Sequence, residues 1–487
     1  MLRFKDYKNY PWLVVLILLY IVANMVLTYK EFYYLNLLPV VLFFIIIALT
    51  RLDILYFIII FLTPLSIPLI EYIPSSPIDF AIPTEPLLFG VMLIVLFKVV
   101  KEGSLDKRIV NHPVTYAILL YLFWIFVTSI TSSIPLVSFK FLLAKVWFIV
   151  TFYLLAIYVF RKTENISTFI LCYALPMVFV VFYAINRHLF YGLFDKQASH
   201  SVMEPFFRDH TSYGAILAML FFGVLGNLVR QGKNILFKII LGFVLISVVA
   251  GLILSYTRAA WISVFFSFGI LIVTLLKIKF RYLFVAGILV IGFFLGQRTE
   301  IMHKLEKNKQ DSSADLSEHV QSISNITTDD SNLERLNRWD AAFRMFKERP
   351  VFGWGPGTYT FKYAPFQFSQ KKTLVSTNFG DMGNAHSEYI GPLSESGIFG
   401  LVSFVLIVIT GLITGFRVYH QVRDKKLKQI VLAYILAFIT YLVHGSLNNF
   451  LDTDKASALF WGFIAVFVSL DIYYTRSEKN REIQANQ

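Results

Sequence analysis

Four ionisable residues stand where apolar sequence gives way to polar sequence: Arg208, Arg258, Arg338 and His386. The planar fork of arginine binds two phosphate oxygens at once and needs no metal. Histidine is the side chain whose ordinary pKa lets it take or give a proton near neutrality. Three arginines and a histidine could therefore stabilise charge building on a phosphate leaving group while a hydroxyl loses its proton. Arg208, Arg258 and Arg338 are the candidate anion ligands, with Arg258 and Arg338 counted with His386 as catalytic. Glu388 is a further candidate for holding substrate, and Glu388 or Glu395 for orienting the histidine. Each residue also has a blander reading. Arg258 lies between Ser255-Tyr256-Thr257 and Ala259-Ala260-Trp261 and could be a snorkelling anchor. Arg208 could simply pair with Asp209, and His386 could sit inert at headgroup level. Convergence favours chemistry, because four separate segments fall on one expected side of a membrane.

The membrane follows from composition. Of 487 residues, 57% are hydrophobic and only 15% charged, against about 25% charged in soluble domains. We place fourteen apolar spans of the length a bilayer needs. They run 11–28, 33–50, 53–72, 84–100, 113–131, 140–160, 166–188, 211–229, 236–255, 259–277, 281–296, 395–416, 428–446 and 456–475. The expected fold is thus an all-α polytopic helical bundle. It divides into a transmembrane bundle over 1–296, a catalytic loop over 297–394, returning helices over 395–475 and a tail over 476–487. With the N-terminus inside, the inner segments hold 24 basic residues and the short outer segments 8. That bias puts both termini in the cytoplasm and the long loop outside. It also accounts for much of the net charge of +13, so nucleic-acid binding has no independent support. The first apolar run reads as a retained helix, since no small-residue cleavage site follows it. One cysteine, Cys172, rules out an internal disulfide, and no Cys/His cluster suggests a metal or another cofactor.

Within the loop, residues 304–331 read as a polar linker. A helix is expected after Ser331, where Ser331 and Glu334 have capping-box spacing. Leu333, Leu336, Trp339, Phe343 and Phe346 recur at helical spacing and would face the bilayer, with Arg335, Arg338 and Lys347 on the opposite face. The turn Gly353-Trp354-Gly355-Pro356-Gly357 could bring backbone N–H groups to an anion, though glycine turns are more often only turns.

These segments resemble the O-antigen ligase/polymerase family of bacterial membrane glycosyltransferases. His386-Ser387, nine residues, then Gly397-Ile398-Phe399-Gly400 is similar to its histidine motif. Arg338-Trp339, continuing through Arg349-Pro350 to Gly357, resembles its Arg-Trp … Pro-x-x-Gly-x-Gly stretch. Ser255 to Trp261 looks like its Ser-x-Ser-Arg helix junction, with Thr257 in place of a serine. Arg208 matches less closely. The resemblance implies transfer of a glycan from undecaprenyl pyrophosphate to an acceptor hydroxyl, without a metal and with inversion. The acceptor would be a lipid A core sugar for a ligase, or another repeat unit for a polymerase. The setting would be the outer side of the bacterial inner membrane, in lipopolysaccharide or exopolysaccharide synthesis. Fourteen spans exceed the number usual in the ligases and match the polymerases. A lipid-linked glycan transporter is the reading from another class; it predicts ionisable groups in mid-helix, which are few here.

Overall fold

The computed structural model describes residues 11–73, 80–103, 105–230, 235–278, 330–367 and 383–475. The expected span 281–296 and the linker 304–331, apart from its last two residues, lie outside them. The described chain is almost wholly helical, as its apolar runs dictate: inside a bilayer only a helix satisfies every backbone N–H and C=O within its own segment. Nine described helices are long and apolar enough to cross a membrane. They are Pro113–Ile130, Pro135–Val159, Glu164–Tyr191, His210–Arg230, Ile235–Leu254, Arg258–Leu275, Ile390–Gln421, Lys425–His444 and Asp454–Thr475.

The chain forms two compact units, residues 1–56 and 57–487. The first holds the helices Pro11–Tyr29 and Leu38–Thr50 with a 3-10 turn between them, and the start of a helix Leu52–Leu62 that continues into the second. The expected span 53–72 needs correction. Its helix stops at Leu62, because Pro64 cannot extend it. The chain then turns, and Ile67–Pro68 pairs antiparallel with Ala81–Ile82.

In the second unit, burial ranks the helices. Asp454–Thr475 is buried over 94% of its apolar window and Lys425–His444 over 78%, so these form the centre. Arg258–Leu275 is buried over only 17% and leaves side chains such as Phe265 and Leu275 bare, as a lipid-facing helix should. Small residues let backbones approach: Gly226 of His210–Arg230 sits against Ala433 of Lys425–His444 with no room for a Cβ.

Alternation of direction decides where the polar groups gather. The connections 131–134, 192–209, 255–257 and 445–453, with the start of Ile390–Gln421, share one end of this bundle. Arg161, Lys162, Arg230 and Lys425 flank helix ends on the opposite side.

Candidate functional site

The loop helix runs Asp330–Glu348, so it exists where the apolar spacing put it. Its inward stripe differs from the expected one. Glu334, Asn337, Arg338, Ala341, Ala342 and Met345 are buried, while Phe343 is exposed. The helix therefore packs on protein rather than lying apolar face down on lipid. Ala342 and Met345 join Tyr359, Tyr363 and Ala385 in a small core of their own.

Arg338 is fixed within this packing. It is 5% exposed, donates from Nε to Glu334 Oε1 at 2.8 Å and from Nη1 to Asn384 O at 3.2 Å, and lies over the Tyr363 ring. Gly383 rests on its guanidinium, where a Cβ would collide. Arg338 thus holds the strand of chain that carries His386. Asn384 continues the hold, since its Oδ1 accepts the His386 backbone N–H at 3.0 Å. His386 itself has φ +47, a left-handed conformation that costs a non-glycine residue about 1–3 kcal/mol. Such strain persists where surrounding contacts impose it, here the Arg338–Asn384 clamp on one side and helix Ile390–Gln421 on the other.

The glycine turn has a mechanical part in this. Trp354 N–H donates to Ser394 O at 3.2 Å and Gly355 N–H to Glu395 O at 2.7 Å, while Ile398 N–H donates to Pro350 O at 2.9 Å. These bonds dock the turn onto helix Ile390–Gln421 where Gly397 breaks the helical conformation, at φ 69 and ψ −167. Gly353 and Gly397 are both at positive φ and in contact with opposing backbone, so neither position admits a side chain. The N–H groups of Trp354 and Gly355 are consumed by this docking and are not presented to an anion.

Glu388 does not orient the histidine. Its Oε1 accepts from Tyr441 Oη at 2.6 Å, Phe450 N–H at 2.7 Å and Leu451 N–H at 2.8 Å. Burial pushes its carboxyl up to about 7. Glu395 accepts the Tyr359 N–H at 2.9 Å. The partner of the His386 ring is Asn448, whose Nδ2 also lies 3.2 Å from His444 Nε2. Burial, and then the charges of Arg338 and Arg335, hold the His386 imidazole down at about 3. It is therefore neutral at any ordinary pH.

Arg335 is the residue that sequence reasoning left aside. Burial lowers its pKa, and Asp209 opposes that shift. Its charge bears on His386, His210, His444 and Arg258. Arg335, and not Arg338, therefore links the loop helix to the junction at Arg258. That junction is tied to the neighbouring helix start: Thr257 Oγ1 donates to His210 O at 2.8 Å, and Tyr256 takes φ +48 to turn the chain. Arg258 then opens helix Arg258–Leu275, where the helix dipole already presents positive potential. The charge of Arg335 bears on Arg258 there, and Asp209 is the carboxylate that bears on Arg335.

Arg208 is placed elsewhere. It is exposed and lines a 410 Å³ cavity with Lys455, Asp209 and Asn449. Its neighbour Asp209 caps helix His210–Arg230, accepting the N–H groups of Thr211 and Ser212 at 2.8 Å. A second cavity of 310 Å³ shares Asn384, Asn449 and Asp452 with the first, and Glu388 lines it. Arg338 and Arg335 thus both bear on His386, Arg335 also bears on Arg258, and Arg208 lines the 410 Å³ cavity.

Comparison with known proteins fits this end of the molecule. Residues 241–405 match the family model described as O-antigen ligase. The match takes in Arg258, Arg335, Arg338 and His386, and leaves Arg208, Asn448 and Asn449 beyond it. At the family level it supports a membrane glycosyltransferase of the O-antigen ligase/polymerase kind. An uncharacterised protein of Haemophilus influenzae is 22% identical over 242 residues, 49% of this chain and 58% of that relative. The chain thus spans little more than half the length of that relative.

Proposed function

We propose that the chain transfers a glycan from an undecaprenyl-pyrophosphate carrier to a sugar hydroxyl on the lipid A core, at the outer face of the inner membrane. The observation that supports this reading is a neutral histidine, His386, in a strained backbone position, with the charges of Arg338 and Arg335 bearing on it and that of Arg335 also bearing on Arg258. In the reaction, the acceptor oxygen forms a bond to the anomeric carbon from the face opposite the leaving group. The bond from that carbon to the pyrophosphate breaks, and its electron pair leaves on the phosphate oxygen. Arg258 and Arg335 stabilise that charge. The acceptor proton goes to the His386 nitrogen not engaged by Asn448, a step of the kind worth 10²–10⁴-fold in rate.

A purified, reconstituted protein given lipid-linked glycan and lipid A core tests the reading. Transfer that persists in EDTA and falls by about two orders of magnitude or more in His386→Ala is the expected result. Elongation of the lipid-linked glycan without any transfer to core would make the enzyme a polymerase. Full activity of His386→Ala would refute the catalytic assignment.

A further inference from the structure

The His386 ring depends on a residue from outside the long loop. Asn448, its partner, belongs to the connection 445–453 between helices Lys425–His444 and Asp454–Thr475. A neutral imidazole offers one N–H and one lone pair, so the bond made by one nitrogen decides what the other presents. Asn448 must therefore keep its place relative to His386. On its own side it is gripped by the preceding helix end. Its backbone N–H donates to His444 O at 3.1 Å, and its Nδ2 lies 3.2 Å from His444 Nε2.

Glu388 supplies the hold from the other side. It does not touch the ring, but it stands two residues after His386 and grips the connection on both sides of Asn448. Before Asn448, the Glu388 backbone N–H donates to Gly445 O at 2.8 Å. After it, Glu388 Oε1 accepts the N–H groups of Phe450 at 2.7 Å and Leu451 at 2.8 Å. The Tyr441 hydroxyl donates to the same oxygen at 2.6 Å. The next residue extends the grip, since Tyr389 Oη donates to Leu442 O at 3.1 Å. The contact is close as well as bonded: a Cβ at Gly445 would lie 3.1 Å from Glu388 Cγ. Lys145 anchors the far end of the connection to helix Pro135–Val159, donating to Leu451 O and Asp452 Oδ1 at 2.8 Å each. The three donors on Glu388 Oε1 need an acceptor oxygen in that position, and none of them needs a negative charge.

We propose that Glu388 is a positioning residue: it locks the connection that carries Asn448 to the segment that carries His386, so that one ring nitrogen meets Asn448 and the other is left to face the acceptor. Glu388 acts through Asn448 and touches no reacting atom. The family match ends at residue 405, so it covers neither Tyr441 nor Asn448. The inference rests on the transfer reading for its effect on rate, but not for the clamp itself.

Two conservative substitutions separate position from charge. Glu388→Gln keeps the oxygen in place and loses the charge. Glu388→Asp keeps the charge and withdraws the oxygen by one methylene. Hydrogen–deuterium exchange on the full-length protein in detergent reads the clamp without any transfer. In peptides covering 445–453, Glu388→Asp should speed exchange by about ten-fold or more and Glu388→Gln by less than about three-fold, with exchange elsewhere in the bundle unchanged. In transfer assays Glu388→Asp should lower kcat by about ten-fold or more and change donor KM by less than about two-fold, as a misplaced group does. Glu388→Gln should restore most of that rate. Asn448→Leu should lower kcat at least as far as Glu388→Asp. The double variant should be no slower than Asn448→Leu alone, because residues that act through one contact do not add. Exchange in Glu388→Asp that matches the wild type overturns the clamp. Transfer by Glu388→Gln that is no faster than by Glu388→Asp assigns the carboxyl a charge or proton role and overturns the proposal. Losses that multiply in the double variant overturn it too, since Glu388 then acts apart from Asn448. If exchange changes as expected while the wild-type protein transfers nothing from the lipid donor, the clamp stands and the transfer reading fails.

Discussion

Arg335 and Arg338 stand within one turn of the same helix, yet their surroundings assign them different work. Arg338 is hydrogen-bonded on both sides and supports the His386 segment. The charge of Arg335 bears on Arg258 and three histidines, and Asp209 bears on Arg335. Arg335→Ala is therefore expected to leave the protein folded and to cut transfer by about a hundred-fold or more, the scale of losing an electrostatic contact made in the transition state. Arg338→Ala should act first on stability. It leaves Glu334 buried without its ion pair, a loss of about 3–5 kcal/mol. Melting temperature and transfer rate, measured on both variants, distinguish these roles; equal melting temperatures would contradict them. The histidine yields a second expectation. His386 is held near 3 by burial and by the two arginines. Its neutral form is thus favoured by folding from about pH 6.5 upward, and that contribution is lost as pH falls toward 3. A bound pyrophosphate would offset the arginine charges and raise this pKa. The acid limb of kcat should then lie at higher pH than the acid limb of kcat/KM for the donor, since the latter reports the free enzyme. Coincident limbs would mean that the donor does not sit beside His386.

At the scale of elements, the helical periods were legible and the packing partners were not. The Leu333–Phe346 spacing located the helix Asp330–Glu348. It misjudged the buried face, because a period says which residues share a side and not whether lipid or protein covers it. Arg338 was read as an anion ligand on the face away from the bilayer, whereas it is buried against Glu334 and Asn384. The motif Arg338-Trp339 likewise drew notice away from Arg335, whose meaning depends on Asp209, Arg258 and His210, all distant in sequence. Asn448, which meets the His386 ring, lies in a short connection between two apolar runs and carried no signal of its own. The glycines were legible as a turn, but their use was not. Gly397 interrupts its helix so that Val351 O can approach, and it meets the glycine turn there. Gly397→Ala is expected to lose stability by more than the roughly 1–3 kcal/mol of a strained backbone, because backbone overlap adds to it. Thermal unfolding should fall and transfer should fall with it, although Gly397 is not among the residues that act on His386. A variant of unchanged stability would show that the kink does not hold the turn.

For the molecule as a whole, the alternation of apolar runs and basic connections told most of the architecture, since a bilayer leaves the backbone few options. Nine of the fourteen expected spans are described helices long and apolar enough to cross; at 53–72 length and hydropathy suggested a span, but the helix stops at Leu62 before Pro64. The same alternation puts Arg258, Arg335 and His386 at one end of the second unit and Arg161, Lys162, Arg230 and Lys425 at the other. By the positive-inside rule we propose that the site faces away from the cytoplasm. Single cysteines test this in cells carrying Cys172→Ser. Ser446 is exposed at the site end and Lys426 is exposed at the other. Ser446→Cys should react with a membrane-impermeant maleimide in intact cells. Lys426→Cys should react only after permeabilisation. The reverse pattern would put His386 on the cytoplasmic side. There it could not meet a glycan already exported on its lipid carrier, so the reversal would remove the proposed reaction while leaving the fold intact.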